Sequence, residues 1–286
     1  GEHKARPLVS VRGRDAVVVD SLAAGDGLSP NDRLCRLLFF VGALKDAAAR
    51  RVTAVVPYLA YARKDRQTKP RDPVTSRYVA ALLEAVGTDR VVVMEVHNPS
   101  AFQNAFRIDT DLVDADALFV RHFAPAIGDG RAVVVSPDLG GGKRADRFRE
   151  ALEAALGRPV GKAFLEKSRS MGVVSGELFA GDVEGATAIV IDDLVATGGT
   201  MARAARACVE RGAKRVAVAA THGLFTAGAE PLWREPAIAE VVVTDTVDPA
   251  PLDPALVGDR LVVLPAAEVF ADLLRRDLGL ARLPGG

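Results

Sequence analysis

Thr187-Ala188-Ile189-Val190-Ile191-Asp192-Asp193-Leu194-Val195-Ala196-Thr197-Gly198-Gly199-Thr200 is the stretch whose reading decides the fold. Ala188 to Ile191 form a short continuous apolar run, the pattern of a parallel strand buried on both faces. Asp192 and Asp193 follow where that strand is expected to end. The turn Ala196–Thr200 then opens a helix carrying Met201, Ala204, Ala205, Cys208 and Val209 on one face. Strand, turn and helix in this order make an anion site, because the first amides of a helix point outward without intrahelical partners. Glycines let a phosphate approach closely, and the Thr197 and Thr200 hydroxyls add donors. Two carboxylates beside such a turn suit vicinal hydroxyls, so a single loop can hold a sugar and its 5-phosphate together. A plain turn with acids at its mouth is the competing reading, but two acids, two threonines and two glycines in this order are far more specific than Gly-Gly alone.

Working outward, the same strand-then-helix rhythm repeats on both sides. Upstream, an early or edge strand spans Leu8 to Asp20, centred on Ala16–Val19. Ser29 and Pro30 start a helix with Leu34, Leu37, Leu38, Val41 and Leu44 at helical spacing. Further strands are expected at Thr53–Val56 and Arg90–Met94, with a helix from Pro73/Thr75 through Ala85. After a junction near residues 117–123 the pattern restarts with a strand at Ala132–Val135 and a helix at Ala145–Leu156. Strands at Arg215–Ala220, Glu240–Thr244 and Leu261–Leu264 alternate with helices, the last from Ala266 to Leu278. Such alternation predicts an α/β chain with parallel sheets in two successive sets. With no low-complexity linker between them, the two domains are expected to pack tightly around a cleft.

In open parallel sheets, ligands bind at the carboxyl ends of strands. Here those ends carry Arg63, Lys64 and Arg66, then Glu95 and His97, then Asp138, then Asp192 and Asp193. Cations directly after a buried strand can clamp a polyphosphate, although a solvated loop is the usual fate of a charge run. Glu95 and His97, two apart, would point the same way on a strand and could form a metal or proton-transfer pair; an ordinary strand-end histidine is an equal alternative. Asp138-Leu139-Gly140-Gly141-Gly142-Lys143-Arg144 lacks the nucleotide P-loop spacing, with Arg144 where Ser or Thr is required. A flexible turn presenting Asp138 fits better. Glu166 to Gly172 reads as a hydrophilic surface loop, or as a mobile one that brings Lys167 and Arg169 over a phosphoryl group.

Composition narrows the class. Of 286 residues, 49% are hydrophobic, enough for sizeable cores, and 37 basic residues balance 37 acidic ones, which gives no support for nucleic-acid binding. No apolar run is long enough to span a bilayer. Cys35 and Cys208 lack metal or disulfide spacing and are expected as small core hydrophobes. No signal peptide is visible, so a cytoplasmic setting is expected. The sequence opens at Gly1-Glu2-His3 without an initiator Met and is expected to be part of a longer chain.

The Asp192–Thr200 loop resembles the ribose-5-phosphate-binding loop of type I phosphoribosyltransferases and their relatives. Val55-Val56-Pro57-Tyr58-Leu59-Ala60-Tyr61-Ala62-Arg63, Val96-His97, Ser136-Pro137-Asp138, Thr221-His222-Gly223 and Val242-Val243-Thr244-Asp245-Thr246 extend the likeness almost end to end. As an ordered set they resemble the ribose-phosphate diphosphokinase (phosphoribosyl pyrophosphate synthetase) family. The resemblance implies two tandem phosphoribosyltransferase-like domains, residues 1–121 and 122–265, with 266–286 packing back onto the first. It implies transfer of the diphosphoryl group of ATP to the 1-hydroxyl of ribose 5-phosphate, with Mg²⁺. It also implies site roles. ATP would be bound by Arg63, Lys64, Glu2 and His97, and metal by His97, Asp138 and Glu95. Ribose 5-phosphate would be bound by Asp192, Asp193, Ala196, Thr197, Gly198, Gly199 and Thr200, with Lys167 and Arg169 as catalytic loop cations. A homo-oligomer, dimer or hexamer, is implied, with neither nucleic acid nor membrane as partner.

The sequence departs from the family pattern at Glu95, where Asp is usual, at Lys64, usually Gln, and at Thr68, often acidic. Ala196 stands where most family synthetases carry Asp, which makes the loop similar to that of adenine phosphoribosyltransferase. A family N-terminal segment that lends an aromatic contact to adenine has no counterpart here. A phosphoribosyltransferase that consumes phosphoribosyl pyrophosphate, and a non-catalytic synthetase-associated subunit, stay open as alternatives at this point.

Overall fold

Runs such as Val91-Val92-Val93-Met94 and Val133-Val134-Val135, every side chain buried, are interior strands of parallel sheets covered on both faces. A computed structural model of the chain describes residues 2–170, 173–249, 252–277 and 279, without the side chains of 167–177. It divides into two units, Gly1–Asp114 with Ala267–Gly286, and Ala115–Ala266. Among the described residues no helix is long and apolar enough to cross a membrane.

The first unit runs β1 (Asp15–Val19), α1 (Pro30–Asp46), β2 (Arg51–Val56), α2 (Thr75–Ala85), β3 (Arg90–Met94), α3 (Pro99–Ala105) and β4 (Asp109–Val113). Its sheet is all parallel in the order β1-β2-β3-β4. Helix α1 starts at a full capping box: Asp32 N–H donates to Ser29 Oγ at 3.2 Å, and Ser29 N–H donates to Asp32 Oδ2 at 2.8 Å. Ser29→Ala is expected to cost about 1 kcal/mol, read as a shift in urea midpoint with unchanged slope. The leucine stripe faces the core as its spacing predicts. Cys35 lies off that stripe and is exposed, so it is not a core residue. One turn of an α-helix can bury only one side, and position 35 is rotated about 100° from Leu34.

The second unit runs α4 (Asp116–Ile127), β5 (Ala132–Ser136), α5 (Gly142–Leu156), β6 (Gly161–Ser170), β7 (Val173–Ala180), β8 (Thr187–Val195), α6 (Gly199–Glu210), β9 (Arg215–Gly223), α7 (Glu230–Trp233), β10 (Glu240–Thr244), α8 (Pro254–Val257) and β11 (Leu261–Leu264). Its sheet has the order β11-β10-β9-β8-β5-β6-β7, parallel except for the β6–β7 hairpin. Residues 117–123, expected as a junction, belong to α4. Leu118, Phe119, Phe123 and Ile127 are buried there, and Phe119 and Phe123 stack edgewise on Phe148 of α5 at 6.1 and 6.3 Å between ring centroids. Such pairs add about 0.5–1.5 kcal/mol each beyond burial, and this packing draws the division between units to before α4. Two further expectations are corrected. Glu166 to Ser170, expected in a loop, lie on β6, whose backbone pairs with β7. Val209 is exposed on α6, whereas Met201, Ala204, Ala205 and Cys208 are buried as expected. Burial pushes the Cys208 thiol up to about 12, which leaves it un-ionised and unreactive.

A final helix, α9 (Ala267–Asp277), belongs to the first unit. Its Asp277 meets Arg90 Nη1 at 2.5 Å, and Arg90 Nε meets Asp111 at 2.5 Å. Arg90 is buried at the start of β3, so its two carboxylates tie the chain's end to the sheet's centre.

Candidate active site

Strand β8 does not end at Ile191 as its apolar run predicts. It continues through both carboxylates to Val195, because β9 is long enough to pair with it: Asp192 lies opposite Ala220, Leu194 opposite His222 and Val195 opposite Gly223. Asp193 is buried while Asp192 keeps 22% side-chain exposure. Past Val195, Leu224 and Phe225 N–H donate to its carbonyl and Thr226 N–H donates to the Ala196 carbonyl at 3.1 Å. These bonds pin the turn from behind. Gly198 enters the helix at φ +73°, and a Cβ there would sit 2.5 Å from Leu232 Cβ. Thr197 is exposed, Gly199 has open space where a Cβ would stand, and Thr200 Oγ1 accepts from Arg203 at 3.3 Å. The turn therefore has a packed inner side and an open outer one, with the amides at the start of α6 available to an anion.

The sheet order explains why this tip is a site. After β5 the chain moves to β6 and β7 on one side; β8 then returns to the other flank of β5, and β9, β10 and β11 continue outward from it. In open α/β sheets ligands bind at the carboxyl ends where strand order reverses. The β5 loop reaches the same place. Ser136 Oγ donates to the Asp138 carbonyl at 2.6 Å, and Gly141 N–H donates to Asp138 Oδ1 at 2.9 Å, which folds the turn and leaves Asp138 exposed. Gly141 is needed there, since a Cβ would approach Ser136 Oγ to 2.8 Å. Arg144 in the first turn of α5 places Nη1 2.9 Å from Asp192 Oδ1 and 3.6 Å from Asp193 Oδ1. Burial pushes the Asp192 carboxyl well above the usual carboxylate range; the Asp193 charge adds to this and Arg144 opposes it.

On the first unit, the loop after β2 builds a cavity of about 350 Å³ lined by Arg63, Lys64, Arg66 and His97 together with Tyr61, Asp65, Thr68, Asp72, Pro73 and Thr75. Charged residues that read as a solvated run are thus gathered on one concavity. Asn98 does much of the assembly: its side-chain amide donates to Asp65 at 2.9 Å while its carbonyl oxygen caps α3 by accepting from Ala101 N–H. Asp72 accepts from the Thr68 hydroxyl and from Thr68 and Lys69 N–H; the Thr68 bond above all holds its carboxyl below the usual range. Glu2 is exposed and does not line this cavity.

Glu95 and His97 do not share a strand face. β3 stops at Met94, Glu95 takes φ +45° and is buried, and His97 is exposed. The period-two alternation that would align them holds only for extended backbone. Among the described residues, no three His, Cys, Asp or Glu side chains form a metal-binding group. Lys167 and Arg169 have side chains outside the described residues. The contributions that sequence reasoning missed are Arg144, Asn98 and Asp72. Of these, only Asn98 announces itself locally, as Asn-Pro before a helix.

Comparison with known proteins agrees with this architecture. Residues 1–87 match the family described as the N-terminal domain of ribose phosphate pyrophosphokinase, and residues 176–276 match the phosphoribosyl synthetase-associated domain. The ribose-phosphate pyrophosphokinase of Clostridium tetani is 39% identical over 93% of this chain and 80% of its own length. That of Caldanaerobacter subterraneus is 38% identical over 96% and 83%. The crystal structure of phosphoribosylpyrophosphate synthetase from Mycobacterium smegmatis superposes with a TM-score of 0.83 at 35% identity, covering 96% of this chain and 86% of that one. With sheet order, strand-tip chemistry and end-to-end similarity in agreement, the chain belongs to the ribose-phosphate pyrophosphokinase family.

Proposed function

We infer that this chain transfers the diphosphoryl group of ATP to the 1-hydroxyl of ribose 5-phosphate, giving 5-phosphoribosyl 1-pyrophosphate and AMP. The observation that carries the reading is the tip of β8, where two carboxylates and a Thr-Gly-Gly-Thr turn meet at the switch point of the second sheet. In this reading Asp192 and Asp193 accept the ribose hydroxyls, and Thr197, Gly198, Gly199 and Thr200 hold the 5-phosphate on the α6 amides. Ala196 contributes backbone only. The cavity with Arg63, Lys64 and His97 takes the ATP polyphosphate. Glu2 and Glu95 are left without a direct role, the one exposed outside the cavity and the other buried.

Phosphoryl transfer asks for positioning and charge stabilisation more than for covalent help from the protein. Lys167 and Arg169 would supply charge to the transferring group. Mg²⁺ sites commonly take one or two protein carboxylates, with phosphate and water completing the shell. Asp138, exposed at a strand tip, fits that donor set, and His97, exposed after β3, is proposed as a metal contact in its own unit. When bound, the ion would supply positive charge against the phosphates. A homo-oligomer and a cytoplasmic setting belong to the same reading, on the support of family membership.

The test is incubation with ATP, Mg²⁺ and ribose 5-phosphate. AMP and phosphoribosyl pyrophosphate are expected in equal amounts. ATP hydrolysis without the second product would sink the assignment. Pyrophosphate release that requires a nucleobase would instead favour a transferase that consumes phosphoribosyl pyrophosphate.

A further inference from the structure

Arg144 sits outside the loop that carries the acids, 48 positions from Asp192 in sequence, yet its guanidinium contacts both of them. The side chain is only 10% exposed. Topology brings it there, because α5 follows β5 and β5 is the sheet neighbour of β8. Asp192 Oδ1 takes two hydrogen bonds, from Arg144 Nη1 at 2.9 Å and from Asp193 N–H at 2.8 Å. Two donors on one oxygen fix the plane of the carboxyl group. A planar guanidinium imposes orientation as well as charge, which an ammonium does not.

We propose that Arg144 is a positioning residue of the pentose-phosphate site, holding the Asp192 carboxyl group in the orientation that accepts the hydroxyls of ribose 5-phosphate. The proposal rests on the assignment of Asp192 to the sugar made above. It makes the β5 loop and the β8 tip one unit: Asp138 presents a carboxylate at the start of that loop, and Arg144, six residues on, orders the acids beside it.

The experiment compares wild type, Arg144→Met and Arg144→Lys by calorimetric titration with ribose 5-phosphate and by steady-state kinetics in both substrates. Loss of an oriented, charge-assisted contact predicts about a tenfold rise in the dissociation constant of Arg144→Met. The loss should fall on KM for ribose 5-phosphate rather than on kcat or on KM for ATP. Arg144→Lys, which keeps charge but not the planar fork, should lie between, about threefold weaker than wild type. Equal affinity in wild type and both variants overturns the proposal, as does a loss shared alike by both substrates. Should Arg144→Met fail to fold, Arg144→Lys decides alone: weakening confined to the sugar supports the role, and unaltered sugar affinity removes it. A wild-type chain that does not bind ribose 5-phosphate overturns the functional reading itself, and the positioning role with it.

Discussion

Replacing Asp192 by Asn is expected to weaken ribose 5-phosphate binding about 30- to 100-fold at about pH 9, where the carboxyl is ionised, since charge-assisted hydrogen bonds to two hydroxyls are worth about 1.5–3 kcal/mol each and the amide keeps only part of them. The same change is expected to stabilise the fold at alkaline pH. Burial, and then the charge of Asp193, push the Asp192 carboxyl up to about 8 against the pull of Arg144. Between the unfolded carboxylate range and that value the native chain keeps a proton that the unfolded chain has released. Stability therefore falls as pH rises through this window, and the penalty is complete above it. Each tenfold difference in proton affinity is worth about 1.4 kcal/mol, so a gap of a few kcal/mol should open between the variant and wild type by pH 8 and close near pH 4. Urea melts at pH 5 and 8, with calorimetric titration of the sugar phosphate at pH 9, read both effects. A variant that loses stability at pH 8, or binds the sugar as well as wild type does, would remove Asp192 from the role given to it.

The neighbouring glycines are expected to separate folding from binding. Gly198→Ala forces a side chain onto a left-handed backbone and drives its Cβ to 2.5 Å from Leu232 Cβ. Left-handed strain and overpacking together predict a loss of about 2–4 kcal/mol. Gly199→Ala meets nothing within 4 Å and sits at the first position of α6 with no left-handed φ. It should leave stability within about 0.5 kcal/mol while its methyl intrudes where the 5-phosphate approaches, weakening ribose 5-phosphate at least tenfold by calorimetry. Equal stability losses in both variants would mean that the outer side of the turn is packed rather than open.

The elements expected from pattern alone are those whose signal is local. The apolar runs of β2, β3, β5, β8, β9 and β10, the stripe of α1 and its Ser29–Pro30 start each depend on residues a few positions apart, and each is found. The misreadings share a different cause. Residues 117–123 turned out helical because Phe119 and Phe123 have Phe148 to pack on, a partner one strand further along the chain. β8 outran its apolar run because β9 pairs with it beyond Ile191. Glu95 lost its alignment with His97 because β3 stops one residue earlier.

By itself, then, the sequence determined the α/β class, the positions of most strands, and the chemistry offered at their tips: cations after β2, acids in β8 and a glycine turn built for phosphate. Periodicity and turn composition encode these within short windows. Only the tertiary structure decided that Arg144 reaches Asp192, that Asp72 lines the cation cavity and Asn98 bonds its Asp65, and that Leu232 leaves no room for a side chain at Gly198. Those relations join residues brought together by strand order, and strand order is an outcome of burying whole sheets, which no short window of sequence carries.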